Sequence, residues 1–238
     1  MKQPPQVTIF ENDLKILKFS NFSDFKNSVD TIAKTHIDLF SVRSLVISGS
    51  TIDNFDFLES LPALKQLSFL ACKSDKWSDL KGNKNINSLR LHNLKQGQLY
   101  LSSIGFMHTF SNLQYLYINM LGIDDFSELQ SLQYLLAVFG VCRNENEVKK
   151  QFDFSALEFS PRLKIFNTWM AVDRHRIPAE SLIPVLKNPS ISSVTVTQMY
   201  KTEDRKLQKL IEVINPLLLD TNLSHDEIMT ILKSNFAW

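Results

Sequence analysis

The chain has 238 residues, 44% apolar, 21% charged and 11% aromatic, enough to bury about 70–75% of its unfolded surface, which excludes a disordered chain. Its 26 Lys and Arg stand against 25 Asp and Glu for a net charge of +1, and without a long run of one sign no nucleic-acid partner is expected. No apolar stretch approaches the roughly 18 residues of a membrane span, Met1-Lys2-Gln3-Pro4-Pro5 leads into no signal-peptide core, and Cys72 and Cys142 make neither a disulfide framework nor a zinc site. The expectation is a cytoplasmic protein with buried, reduced thiols, no membrane association and no cofactor. Only 6 Gly and 8 Pro occur and no tract is of low complexity, so one domain over residues 1–238 is expected.

In chain order, the pattern apolar-x-x-apolar-x-apolar appears first at Leu14/Leu17/Phe19. Residues 22–41 read as a helix with Phe22, Phe25, Val29, Ile32 and Ala33 on one side. The pattern returns at Val42/Leu45/Ile47, Leu64/Leu67/Phe69, Ile86/Leu89/Leu91 and Leu113/Leu116/Ile118, and in weaker form at Leu132/Leu135/Ala137, Leu163/Phe166/Thr168 and Ile191/Val194/Val196. The first three of these copies are 22 residues apart, and about eight irregular repeats fill residues 14–200. Behind the central triplets the spacing turns helical, as in Ile52, Phe55, Leu58 and Leu61 or Ile123, Phe126, Leu129 and Leu132. A short strand followed by a short helix has an apolar edge it cannot bury alone. Neighbours must therefore stack into a curved parallel sheet.

The segments "LVISGSTIDNFDFLESLPALKQL" and "LYINMLGIDDFSELQSLQYL" resemble the leucine-rich repeat family, most of all the 22-residue, bacterial internalin-like class. The resemblance implies an α/β leucine-rich-repeat solenoid with its parallel sheet on the concave side and short helices on the convex side. It is close over residues 42–139 and loose over 14–41 and 140–200. One feature departs from the family, which places Asn or Cys three residues after the last strand position to bridge neighbouring backbones. Here Phe22, Ser50, Cys72, Leu94, Leu121, Gly140, Ala171 and Met199 stand there, and only Cys72 and Ser50 fit. The backbone turns must find other partners.

From Glu203, Leu207, Leu210, Ile211 and Ile214 form a helical stripe that stops at Asn215-Pro216. Ser224 with Glu227 makes a capping box for a second helix bearing Ile228, Ile231, Leu232 and Phe236. Residues 203–238 thus read as a two-helix C-terminal cap over the bare end of the stack. The rival reading makes these helices a docking element anchored by Trp238.

Within each strand the residues between the triplet positions project outward with period two. They give a candidate partner-binding patch of Arg90, His92, Tyr115, Tyr117, Asn119, Tyr134 and Trp169, residue types that dominate protein-binding hot spots. Tyr117, Arg90 and His92, on regular strands, are expected to be exposed, whereas for Tyr134 and Trp169 exposure and burial by the C-terminal helices both stay open. The long steps "KQGQLYLSSIGFMHTFSN" and "CRNENEVKKQFDF" are secondary candidates. No Gly-rich phosphate loop, G-x-S-x-G turn or His-Glu-x-x-His is present, and His36, His92, His108, His175 and His225 lack metal-ligand spacing. Asp173-Arg174-His175-Arg176 reads as a polar turn and Asp124-Asp125 as the acidic start of a helix; no catalytic residue and no metal site are expected.

The resemblance implies a non-catalytic protein-protein recognition module, monomeric or in a heterocomplex, whose partner is another protein. The specific expectation is a bacterial immunity or inhibitor protein that neutralises a toxin. The alternatives are an adaptor docking through the C-terminal helices and, last, a hydrolase centred on His92 or on Asp173–Arg176.

Overall fold

The computed structural model describes residues 6–10, 16–20, 38–74, 76–92, 105–120, 131–139, 154–170, 177–197 and 199–236. They belong to two compact units, residues 1–99 with 105–113 and residues 100–104 with 114–238. In the first unit the triplets fall on strands β2 (Ile16–Ser20), β3 (Ser44–Ser48), β4 (Gln66–Leu70) and β5 (Ser88–His92), which pair in parallel. Leu17, Leu45, Leu67 and Leu89 stand in one column and Phe19, Ile47, Phe69 and Leu91 in the next, and every one of these side chains is buried. The repeat inferred from sequence is therefore a physical ladder. A strand that the triplets do not signal, β1 (Gln6–Phe10), pairs antiparallel with β2. Its alternating Val7, Ile9 pattern was the available clue.

The second unit repeats the arrangement in β6 (Tyr115–Met120), β7 (Tyr134–Phe139), β8 (Ile165–Met170) and β9 (Ser193–Thr197), all parallel neighbours. Leu116, Leu135, Phe166 and Val194 share one column, and Ile118, Ala137, Thr168 and Val196 the next. The irregular repeats are thus in register with each other.

Among the described residues, the return segments differ from the short α-helices that the spacing suggests. They are 3-10 turns, at Leu39–Ser41, Asp56–Ser60, Trp77–Asp79, Gly105–Thr109, Ser155–Phe159 and Ala179–Leu182. Among these described turns only the last runs on into an α-helix, α1 (Ile183–Lys187). The turns at 56–60, 77–79 and 155–159 have no side-chain cap. So short a segment gains too few i→i+4 bonds to offset helix nucleation, and the tighter i→i+3 turn suffices. Behind them the core is aromatic: Phe55, Phe69 and Trp77 meet with centroid separations of 5.2–5.7 Å, and Phe154 meets Phe166 at 5.2 Å. The expected helix over 22–41 lies, up to residue 37, outside the described residues, as do Ile123, Phe126 and Leu129, Asp124-Asp125, Asp173–Arg176, Trp238, "CRNENEVKKQFD" and the first part of the other long step.

The backbone turns do find other partners. At strand starts one carbonyl accepts two successive N–H groups of the next coil: Lys65 and Gln66 on Arg43, and Asn87 and Ser88 on Lys65, at 2.9–3.2 Å. The second unit does the same with Gln133 and Tyr134 on Gln114, Lys164 and Ile165 on Gln133, and Ser192 and Ser193 on Lys164. A side-chain rung runs beside it. The residue just before the first triplet position donates to the preceding coil, Asn85 to Pro62 at 2.8 Å, Asn112 to Lys84 at 2.7 Å and Ser190 to Pro161 at 2.8 Å. Buried Asn188 adds Nδ2 bonds to the Leu157 and Ser160 carbonyls at 2.7 and 2.8 Å. Cys72, at the family's Asn or Cys position, donates to Ile47 of the preceding coil at 3.2 Å.

Gly82 donates to Thr109 Oγ1 at 2.9 Å, and a Cβ there would overlap the ring of Phe110, which is buried and has nowhere to turn. Gly82→Ala should lower stability by about 1–3 kcal/mol, read as a shifted urea midpoint at unchanged m-value. Gly82→Ala with Phe110→Leu should recover part of the loss.

Candidate functional site

Alternation makes one face of each sheet core and the other face available. In the first unit the outward positions are Ser44, Gln66 and Ser88, then Lys18, Val46, Ser68 and Arg90, then Ser20, Ser48, Leu70 and His92. Lys18 is exposed, and Val46, Ser68, Arg90, Ser20, Ser48, Gln66 and Leu70 are half-buried. Ser20 and Ser48 hydrogen-bond to each other at 2.9 Å. The surface is mixed and reaches solvent in part, since Ser44, Ser88 and His92 are buried.

The second unit treats the same positions differently. The stripe over 201–214 forms α2 (Lys201–Ile214), which buries Leu207 and Ile211 against α1 and the turn Ala179–Leu182. Glu203 accepts the Ala179 N–H at 2.9 Å while holding Lys206 at 2.8 Å. After α3 (Leu218–Thr221) comes α4 (His225–Phe236), started by the expected capping box. Ser224 Oγ donates to Glu227 Oε2 at 2.7 Å and Glu227 N–H to Ser224 Oγ at 3.3 Å, bonds that hold the Glu227 carboxyl below its ordinary pKa. Only α2 seats as a cap. α4 lies on the outward face of β6–β8, where Ile228 and Leu232 pack with Tyr115, Tyr117, Leu136 and Ile165.

The expected exposure of the patch is corrected accordingly. Tyr115 is 0% and Tyr117 5% exposed because α4 covers them, and Tyr134 is partly buried against the same cluster. His92, at 9%, is buried on β5, whereas Arg90 is half-buried and reaches solvent. Asn119 and Trp169 lie on β6 and β8, with side chains outside the described residues. The seven residues thus do not form one open patch. Alternation places Lys18, Val46 and Ser68 in the same outward row as Arg90, but residue type favoured the later aromatic positions over them as the partner-binding patch. Their positions in the alternation were the signal.

Burial, and then the Arg90 charge, push the His92 pKa down to about 4. Burial pushes the Cys72 thiol up to about 11, against the smaller opposing effect of the Ser50 and Leu70 backbone. These are a neutral imidazole and an inert thiol. Among the described residues no three His, Cys, Asp or Glu side chains come close enough to hold a metal ion, and no helix is long and apolar enough to cross a membrane.

No family model matches the sequence. No curated relative matches it either. Among solved structures the chain is similar to an internalin (InlF) from Listeria monocytogenes, at 17% identity and a TM-score of 0.45 over 72% of this chain and 52% of the internalin. It spans about half the length of that protein.

A histidine kept neutral in the fold accepts a proton more readily when unfolded, so stability should fall as pH drops from about 6.5 to about 4. His92→Gln should flatten that slope by about 1–2 kcal/mol between pH 7 and 4, measured by urea unfolding at each pH. In a Cys142→Ser background, Cys72 should resist a thiol reagent at pH 8 until denaturant is added, and Cys72→Ala should cost about 1 kcal/mol through the lost bond to Ile47. Each unit, with its in-register apolar columns and single-carbonyl rungs, has the leucine-rich-repeat fold.

Proposed function

We propose that the chain is a non-catalytic protein-binding module that receives its partner on the outward face of β2–β5. The observation that supports this reading is the row Lys18, Val46, Ser68 and Arg90, one side chain per strand at the roughly 4.8 Å strand spacing, all reaching solvent. Ser68 in this row and Ser20 and Ser48 in the next leave room for a partner's side chains to enter, with Val46 and Leu70 as apolar contact and Arg90 as the residue type best suited to anchor it. A finer form of the proposal is that the partner is a toxin and the chain its immunity protein, covering the toxin's active site. It agrees with a recognition face that has no clustered acid, base and nucleophile within it.

A second reading, an adaptor that docks through its C-terminal helices, is favoured by one observation. Val213 is 82%, Leu217 74% and Leu219 51% exposed, an apolar run from the end of α2 into α3. Substitution separates the two. Ser68→Arg and Arg90→Ala should each weaken capture of the partner from the native source at least ten-fold, about 1.4 kcal/mol, with an unchanged circular dichroism spectrum. Capture lost in Val213→Asp/Leu217→Asp but intact in Ser68→Arg would reverse the assignment. For the finer form, co-expression with the captured protein should relieve its toxicity, and Ser68→Arg should abolish the relief.

A further inference from the structure

The outward columns of β6, β7 and β8 bring Tyr115, Tyr117, Leu136 and Ile165 onto one surface. On it α4 fully buries Ile228 and Leu232, with Met229 and Ile231 packed partly against it. The segment changes character at Ser224. Upstream it is bound to β9 by hydrogen bonds: Thr221 Oγ1 donates to the Ser192 carbonyl at 2.9 Å, the Val194 N–H to Asn222 Oδ1 at 2.8 Å, and Thr195 Oγ1 to the Leu223 carbonyl at 3.0 Å. Downstream, the hydrogen bonds of Ser224, Glu227 and Thr230 stay within the helix segment, and the described apolar side chains of the helix that pack on the sheet cluster are Ile228, Met229, Ile231 and Leu232. Aliphatic residues at spacings of three and four on an apolar, aromatic-rich surface are the signature of helix-in-groove recognition.

We infer that the outward face of β6–β8 is a docking surface for an amphipathic helix of a protein partner, carrying aliphatic residues at i, i+3 and i+4, and that α4 is its resident occupant, released about Ser224 when the partner binds. The inference rests on reading the sheet as a recognition surface and adds the kind of partner this part of it takes. Release at Ser224 leaves residues 221–223 on β9, with Leu223 still packed against the cluster, so the last strand stays closed while the surface under Ile228 and Leu232 opens. The partner's apparent affinity is reduced by the fraction of chains with α4 released.

Two measurements on the full chain test this. In the wild type, amide hydrogen exchange should show residues 225–236 opening at least ten-fold more often than β6–β8; opening of α4 only together with those strands would overturn the inference. In Ile228→Asp/Leu232→Asp, a fluorescein-labelled peptide of residues 224–236 should bind at least ten-fold more tightly than it does to the wild type, whose face is occupied. The same peptide carrying both substitutions should not bind. Equal binding of the unsubstituted peptide to variant and wild type would overturn the inference, and so would an unfolded variant, since α4 would then be core. Neither measurement involves β2–β5, so failure of the Ser68→Arg test leaves this result readable, and the reverse holds as well.

Discussion

Everything in both units depends on one constraint, that each coil lie in register on the one before it. A parallel strand taken alone buries one apolar edge and leaves its N–H and C=O groups to water. Stacking satisfies both needs at once, because the alignment that sets Leu67 between Leu45 and Leu89 also directs the Lys65 and Gln66 N–H groups to the Arg43 carbonyl. A slip of one residue would turn every buried leucine outward. The apolar columns and the carbonyl rungs therefore select the same register. Repeats as irregular as those around Leu132 and Leu163 can keep it without the family's Asn ladder.

Such a stack must also end. The last carbonyl of the second unit's rung, Ser192, accepts the Thr221 hydroxyl, and the β9 N–H at Val194 is taken by Asn222 Oδ1, while Ser193 Oγ both donates to Asn222 and accepts from Leu223. Residues 221–223 supply by side chain and backbone what a further strand would supply by backbone alone. This closes an edge that would otherwise invite pairing with another chain. A strand-like ending of this kind carries the chain across to the outward side of the sheet, from which α4 can lie over β6–β8. The covering of Tyr115 and Tyr117 thus follows from how the stack is terminated.

The inward half of the fold was legible because its signal is local and repeated. Leu17, Leu45, Leu67 and Leu89 each announce themselves within six residues, and the copies support one another. The capping box at Ser224 and Glu227 was legible for the same reason. What lay beyond the sequence was the destination of α4. Its stripe of Ile228, Ile231 and Leu232 says that one side must be buried, without saying against what, and covering an end or covering a face satisfies the pattern equally. The exposure of Tyr117 was an inference from strand position, which fixes direction; burial depends on what arrives from more than a hundred residues away. The 3-10 turns were misread as helical for a related reason, since apolar residues three apart fit both periods over five residues.

The two faces of these sheets thus carry unequal information. The inward columns admit only apolar side chains of suitable volume, so they specify the stack and nothing about a partner. The outward columns are free of that demand, and here they have diverged: small and polar residues with Val46, Leu70 and a basic residue at either side on β2–β5, mainly aromatic and aliphatic ones with Asn119 and Asn167 among them on β6–β8. A face of serines stays wet in the absence of a partner at little cost, whereas one of tyrosine, leucine and isoleucine does not. An apolar recognition surface left bare would bind whatever apolar segment met it first. A tethered helix of matching pattern removes that hazard while preserving the shape of the site, because the cover must satisfy the same side chains that a partner's helix would. The residues that make β6–β8 worth covering are the ones that make it selective once uncovered.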